Sequence, residues 1–310
     1  MRQPTLAVIG SAVTDIVVET PRLPGSGENI HVPRLAVMPG GKATNAAVTL
    51  VRLGAAVHLI SNTGRDHWGE QLRQELAAAG IQTGLIGRHP SQPTGIVIML
   101  AEASGQTAYI AHPAAGRSVS AADIRQRLTP LLPRLDGLLF NLEADEAALQ
   151  TAADLAYAAG VPIFVDAGPV RPYAAGLWQH AAILSPNEPE AAALVGHNLA
   201  DEAAVVAAAQ ALLAAGPPVV VLKLGARGAY WATPTAAGWA PAFPIQVIDP
   251  AGAGDAFTAG LVWASLTGQP LPQAVRWANA CGAIVAGRFG TMPAMPQAEE
   301  VRQFLASHPA

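Results

Sequence analysis

Short apolar runs alternate along this chain with longer stretches in which apolar residues return every three or four positions. The short runs read as strands buried on both faces and the longer stretches as amphipathic helices. The first strand runs from Thr5 to Gly10 and closes on Gly10-Ser11. A helix from Lys42 to Leu53 starts out of Pro39-Gly40-Gly41 and carries Ala46, Leu50 and Leu53 on one face. Val57 to Ser61 reads as a strand. The helix after it is capped by Asp66, carries Trp68, Leu72, Leu76 and Ala79 on one stripe, and stops at Gly80 in the C′ position. From Ser120 the alternation is steady. Ser120-Ala121-Ala122-Asp123 resembles a capping box. Strands are expected at Gly137 to Leu142, Val161 to Val165, Ile183-Leu184 and Pro218 to Leu224, with helices from Asp145 to Ala159 and from Asp201 to Ala215. A hairpin follows near Ala229-Tyr230-Trp231 and Gly238 to Ala242. A strand at Ile245-Gln246-Val247-Ile248 precedes helices at Ala253 to Leu266, Leu271 to Ala286 and Pro296 to Ser307.

Two segments break this rhythm. Between Ile16 and Val37 there is no helical period, only the β-like pieces Ile16-Val17-Val18-Glu19 and Asn29-Ile30-His31-Val32, separated by Pro21, Pro24, Gly25 and Gly27. Pro93 to Glu102 and Gln106 to His112 form a second pair around Ser104-Gly105. Apolar strands alternating with helices predict a mostly parallel sheet covered on both faces. The expected architecture is therefore one α/β domain over residues 1–310, with β pairs at roughly 14–38 and 93–112 inserted in it.

Composition narrows the function classes. Of 310 residues, 51% are hydrophobic and 13% charged, which argues for a packed globule and against disorder. The net charge of −4 and the lack of a basic run give no reason to expect nucleic-acid or membrane-surface binding. Cys281 is the one cysteine, so no intramolecular disulfide or cysteine metal site can form, which suits a reducing cytoplasm. The apolar run Leu6-Ala7-Val8-Ile9 is short for a signal peptide. The most apolar window, Ala203 to Leu222, is broken by Gly216-Pro217-Pro218 and is expected not to span a membrane. The eight histidines form no metalloenzyme-type pair.

The stretch that organises the candidate chemistry is Asp249-Pro250-Ala251-Gly252-Ala253-Gly254-Asp255. Gly252 and Gly254 permit a tight turn and a close backbone approach, and the N–H groups of the helix that follows favour an anion, above all a phosphate. Asp255 beside such a cradle is either a first-turn acid favoured by the helix dipole or a base that takes the proton of an attacking hydroxyl. The preceding Gly-Ala-Gly favours the base. Asp15, Glu143, Asp166, Asn187 and Lys223 likewise sit just after predicted strands, where an open α/β sheet binds ligands and where polar loops also begin.

The Asp249–Asp255 stretch, followed by Ala259-Gly260-Leu261-Val262, resembles the C-terminal signature of the ribokinase-like (PfkB-type) carbohydrate and nucleoside kinases. A second signature of that family is matched by Gly40-Gly41-Lys42-Ala43-Thr44-Asn45-Ala46-Ala47, with Gly54 and Gly64 further on. The resemblance covers essentially the whole chain. It implies a ribokinase-like three-layer α/β/α fold in which the two β pairs join as one small sheet, a lid over the sugar and often a dimer contact. It implies ATP and Mg²⁺ as cofactors, with Asp255 as base and Gly252, Ala253 and Gly254 as the anion cradle. Asp15, Gly41, Asn45 and Glu143 would meet the sugar, while Lys42 is either a substrate contact or a solvated helix-start lysine. Asn187, Lys223, Gly225, Gly228, Gly254 and Asn279 would lie on the nucleotide side, and Glu190 would support Mg²⁺ through water. Asp249, with carbonyls of Ala251, Val285, Arg288 and Gly290, would mark a monovalent cation site, possible for K⁺.

Three departures matter. Many relatives carry Thr or Ser where Lys223 stands. Ribokinases carry Asn two residues before the first sugar-binding acid, where this chain has Val13. Their cation loop ends on a serine where it has Ala294. The expected activity is an ATP-dependent kinase acting on the primary hydroxyl of a ribose-like or other small sugar. The alternatives are a nucleoside kinase, with Tyr109 as a candidate base contact, and a non-catalytic sugar-binding relative.

Overall fold

The computed structural model describes residues 3–102 and 107–309. The chain opens with β1 (Thr5–Ile9), β2 (Val13–Thr20), β3 (Arg34–Gly40), α1 (Lys42–Arg52), β4 (Ala56–Thr63), α2 (His67–Ala78), β5 (Ile86–Arg88), β6 (Gly95–Glu102) and β7 (Thr107–His112). It continues with α3 (Ala121–Leu128), β8 (Gly137–Asn141), α4 (Glu146–Ala158), β9 (Ile163–Asp166), β10 (Ile183–Ser185), α5 (Glu188–Val195), α6 (Glu202–Ala214) and β11 (Val220–Lys223). It closes with β12 (Ala229–Ala232), β13 (Ala237–Ala240), α7 (Ala253–Leu266), α8 (Leu271–Ala286) and α9 (Ala298–Ser307).

Among the described residues the larger sheet has nine strands in the order β13-β12-β11-β10-β9-β8-β1-β4-β5. β12 and β13 pair antiparallel, and the pairings from β11 to β5 are parallel. Strand alternation explains the three layers. Leu6 and Val8 of β1 pack with Leu59, Leu139, Phe164 and Val221 against α1, α2, α7, α8 and α9. Ala7 and Ile9, one residue out of phase, pack with Leu138, Phe140, Val165 and Leu222 against α3, α4, α5 and α6. Among the described residues, no helix is long and apolar enough to cross a membrane.

A second sheet has the order β3-β2-β6-β7, so the two β pairs do join. β2 and β6 are its parallel centre, and β3 and β7 add antiparallel edges. The turn expected at Ser104-Gly105 lies outside the described residues. The partner of β2 is not the expected 29–32 segment, which is non-regular and largely exposed, but β3. Pro33 follows that segment and restricts it, whereas pairing from Arg34 puts Met38 into a small core with Val17 and Met99. Pro39 is tolerated because β3 is an edge strand.

The strand expected at 245–248 is also absent. Ile248 N–H donates to the Ala286 carbonyl at the end of α8, at 2.8 Å, so this backbone is satisfied by a helix terminus and not by a neighbouring strand. Val247 and Ile248 are each left 59% exposed.

Asp66 joins the two sheets' connections. Its carboxylate caps α2 through Gly69 N–H at 2.9 Å and accepts from Thr94 N–H at 2.7 Å, just before β6. Burial acts to raise its carboxyl, but the hydrogen bonds from Thr94 and Gly69 outweigh it and hold the group below the usual range. Asp66→Ala should therefore cost about 1–3 kcal/mol, read as a lower urea midpoint. A group held low stabilises the fold above its unfolded pKa and loses that effect as pH falls through the folded value. The gap between wild type and variant should narrow in acid.

Candidate active site

The turn before α7 behaves as its residues require. Gly252 is the N-cap of α7 with φ of 77°, a left-handed conformation, and an added Cβ there would lie 2.7 Å from Met295 Cε. The first N–H groups of an α-helix have no partner inside the helix and point out of its end, at the turn formed by Gly252, Ala253 and Gly254. Asp255 follows in the first turn of α7 and is 6% exposed. Asn45 Nδ2 of α1 donates to its Oδ2 at 2.8 Å, and Lys42 Nζ lies 3.8 Å from its Oδ1. Burial pushes the Asp255 carboxyl up to about 6; Lys42 and Asn45 pull it down and Asp166 pushes it further up. Asp255 in turn is the main reason that Lys42 holds its proton more tightly than a free lysine. The choice left open for Lys42 is thereby narrowed, since it faces Asp255 and is not a freely solvated helix-start residue.

Asp15 enters the same region from β2. It is 8% exposed, and its carboxylate lies flat over Gly40, where an added Cβ would fall 1.9 Å from its Cγ. Thr291 Oγ1 donates to Asp15 Oδ2 at 3.1 Å. Burial drives the Asp15 carboxyl up to about 7; Thr291 opposes the shift, and Asp255, Glu143 and Asp249 add to it. Glu143, after β8, accepts from Ser11 Oγ and has Arg117 Nη2 at 3.7 Å. Gly41 is the N-cap of α1.

On the other side of the turn, Asn187, Lys223, Gly225, Gly228, Gly254 and Asn279 line one cavity of about 720 Å³. Phe243, Ile245 and Val247 give it an apolar wall, so the exposed Val247 side chain faces this cavity. Asn279 Nδ2 is turned toward the carbonyls of Ala240 and Pro241, at 3.1 and 3.2 Å. Lys223 Nζ pairs with Asp166 Oδ1 at 2.9 Å and donates to Thr258 Oγ1 at 3.2 Å, while Thr258 Oγ1 donates to Asp166 Oδ2 at 3.0 Å. Burial opposes the charge on Asp166, but Lys223 and Lys42 outweigh it and keep the carboxyl below its ordinary range.

Asn187 and Glu190 form a reciprocal capping box on α5: Asn187 N–H donates to Glu190 Oε2 at 2.7 Å and Glu190 N–H to Asn187 Oδ1 at 2.9 Å. Glu190 is 3% exposed, and burial raises its carboxyl. Among the described residues there is no group of three or more His, Cys, Asp or Glu that could hold a metal ion. Asp249 is bound by the chain itself: its Oδ1 accepts from Ala251 N–H at 3.0 Å and its Oδ2 from Gly290 N–H at 3.1 Å. The Val285 carbonyl accepts from Arg288 N–H at 2.9 Å.

Thr291, Ser11 and Thr258 were not anticipated. Thr258 could have been, because it stands three residues after Asp255 on one helix face. Thr291 and Ser11 carry no local signal; they meet Asp15 and Glu143 only through the tertiary fold.

Residues 3–298 match the profile of the pfkB family carbohydrate kinases. A ribokinase of Haemophilus influenzae is 31% identical over 301 residues, covering 97% of this chain and 98% of that protein. A Bacillus subtilis ribokinase is 28% identical over 97% of this chain and 99% of its own length. The structure of Arabidopsis thaliana ribokinase complexed with ribose and ATP superposes with a TM-score of 0.86 at 26% identity, covering 98% of this chain and 99% of that one. The chain belongs to the pfkB family: it is an ATP-dependent carbohydrate kinase, a phosphotransferase, with the ribokinase-like three-layer fold.

The raised Asp15 carboxyl has a cost that can be measured. The folded state keeps this proton to higher pH than the unfolded chain, so stability falls as pH rises from near 4 through about 7. Asp15→Asn removes the titration. At pH 8 the variant should unfold at a higher temperature than wild type, and the advantage should vanish below about pH 4, where both side chains are neutral. A wild type that is the more stable of the two at pH 8 would rule this out.

Proposed function

We propose that this carbohydrate kinase transfers the γ-phosphoryl group of ATP to the primary hydroxyl of ribose or a related small sugar, with Asp255 as general base. The observation that carries the reading is the place of Asp255: buried, raised to about 6, and set at the N-terminus of α7 between the Asp15 carboxylate and the 720 Å³ cavity. A carboxylate lifted this far still ionises near neutrality and is a stronger proton acceptor than a free one. Asn45 orients it through Oδ2, which leaves Oδ1 toward Lys42 and the acceptor.

Asp15, Gly41, Asn45 and Glu143 hold the acceptor hydroxyls. The N–H groups of Gly252, Ala253 and Gly254 receive the negative charge of the moving phosphoryl group. The cavity beside Asn187, Lys223, Gly225, Gly228 and Asn279 takes the nucleotide, with the base against Phe243 and Val247. Bound Mg²⁺ would neutralise phosphate charge, held beside Glu190. A monovalent cation such as K⁺ would sit at the Ala251, Val285, Arg288 and Gly290 carbonyls beside Asp249. The likeness to the Arabidopsis ribokinase complexed with ribose and ATP and to the Haemophilus ribokinase supports a ribose-like acceptor. The second sheet acts as a lid of the single domain that excludes water from the reacting groups. The protein works in the cytoplasm.

The lid also offers a dimer contact. Its face opposite Asp15 carries Leu35, Val37 and Ile110, exposed by 58%, 36% and 61%. An apolar sheet face of this kind is costly in water and favours pairing with a second copy. Sedimentation should find a dimer that Leu35→Glu with Ile110→Glu converts to a monomer; a monomeric wild type sinks the dimer.

The activity is tested by ADP release with Mg-ATP against ribose, 2-deoxyribose, fructose, ketodeoxygluconate, adenosine, inosine and pseudouridine, with and without K⁺. Asp255→Asn should lower turnover by roughly 10²–10⁴ and leave acceptor binding in place. Turnover near that of wild type would remove the base. A nucleoside as the best acceptor would replace the sugar reading, and sugar binding without ADP formation would point to a non-catalytic relative. In wild type, kcat/KM should fall on the acid side between about 7 and about 6, a limb that reports both Asp15 and Asp255 because the second contributes to the shift of the first.

A further inference from the structure

We propose that Thr291 is a positioning residue for the acceptor: its hydroxyl fixes the Asp15 carboxylate in the orientation that receives the sugar and ties that carboxylate to the catalytic turn. The inference rests on the acceptor role of Asp15 proposed above.

Thr291 is 5% exposed and stands immediately after Gly290, whose φ is 87°. The two residues work in opposite directions. Gly290 N–H reaches back to Asp249 Oδ2 at 3.1 Å, and Asp249 Oδ1 accepts from Ala251 N–H in the turn that precedes α7. Thr291 Oγ1 reaches forward to Asp15 Oδ2 at 3.1 Å and lies 3.3 Å from the Pro39 carbonyl. One dipeptide thus spans from the phosphate-side turn to both strands that carry the acceptor side, since Thr14 of β2 pairs with Pro39 of β3. Packing follows the same route. Val17, Met38 and Met99 form the small core of the second sheet, with Ala251 and Phe289 packed against it. The Arg34 guanidinium stacks over the Phe289 ring at 4.0 Å.

The need for such a clip is electrostatic. The charged groups acting on Asp15 are Asp255 from α7, Glu143 from the loop after β8 and Asp249 from before the turn, and all three are acids. Burial and repulsion by these acids both disfavour a charged Asp15 carboxylate, so it needs a donor to hold it. Gly40 supplies its floor, and the Thr291 hydroxyl holds one oxygen, so that Oδ1 is the oxygen presented to a sugar hydroxyl. The hydroxyl also favours the charged form of Asp15, the form able to accept hydrogen bonds from a sugar.

The test uses Thr291→Val, which keeps the shape and removes the hydroxyl, with Thr291→Ser as the rescue and Asp15→Asn as the reference. Thr291→Ala stands in if the valine variant does not fold. With D-ribose or 2-deoxy-D-ribose and saturating Mg-ATP, Thr291→Val should raise the sugar KM about tenfold while kcat stays within about threefold. The acid limb of kcat/KM should move to higher pH, because Asp15 loses a hydrogen bond to its charged form, and Thr291→Ser should restore both. A merely structural threonine would move neither the limb nor the split. The apo protein gives a readout that needs no sugar: by ¹³C NMR the Asp15 carboxyl should titrate at higher pH in Thr291→Val than in wild type. An unmoved titration overturns the inference. A sugar KM raised in Asp15→Asn but unchanged in Thr291→Val overturns it and leaves the acceptor role of Asp15 standing. A KM unchanged in both variants, or a wild type inactive on both sugars, removes that acceptor role and the inference with it.

Discussion

The site depends on carboxylates taken out of water and the uneven way in which each is compensated. Asp15, Asp166, Glu190, Asp249 and Asp255 are exposed by 8%, 6%, 3%, 2% and 6%. A buried charge without partners costs several kcal/mol, so each must be met by a cation, a donor or a proton. Asp166 has Lys223 and Thr258 and stays charged. Asp249 has two backbone N–H groups, which makes it a brace for the turn. Asp255 and Asp15 are under-compensated, one by Asn45 and a lysine at 3.8 Å, the other by Thr291 among acids, and both titrate high. They are also the two with distinct parts in the proposed chemistry, Asp255 as the base and Asp15 as a holder of acceptor hydroxyls. Incomplete compensation is what keeps a proton acceptor poised near neutral pH.

Helix α7 lets this arrangement exist. It is buried nearly all round, and its small residues allow the neighbouring helix to come close: an added Cβ at Gly260 would lie 2.7 Å from Cys281 Sγ of α8. Asp255 and Thr258 stand one turn apart on its polar side. The first reaches Asn45 of α1 and the second reaches Asp166 of β9 and Lys223 of β11. The helix therefore joins the two halves of the site through a pair of side chains on one face, while its N-terminus opens on the glycine turn between them.

The amino-acid sequence by itself determined most of the elements and the family. Apolar periodicity located α7 and α8 at the residues observed, and Asp66, Gly80 and Ser120 marked helix ends by cap chemistry that acts within a few residues. The spacing of Gly40-Gly41 to Asn45 and of Gly252 to Asp255 was readable because a turn and a helix N-terminus are local structures. Periodicity misplaced the partner of β2 and invented a strand at 245–248, since both depend on which backbone groups a distant element offers: Met38 is drawn into the core of the second sheet, and Ile248 N–H is claimed by Ala286. Only the tertiary structure decided that Lys42 faces Asp255, that Lys223 is neutralised by Asp166, and that Thr291 touches Asp15 across 276 residues of chain. The physical reason is range: propensity and capping act over one helical turn, whereas burial and charge compensation are properties of a volume, filled by residues that the sequence keeps far apart.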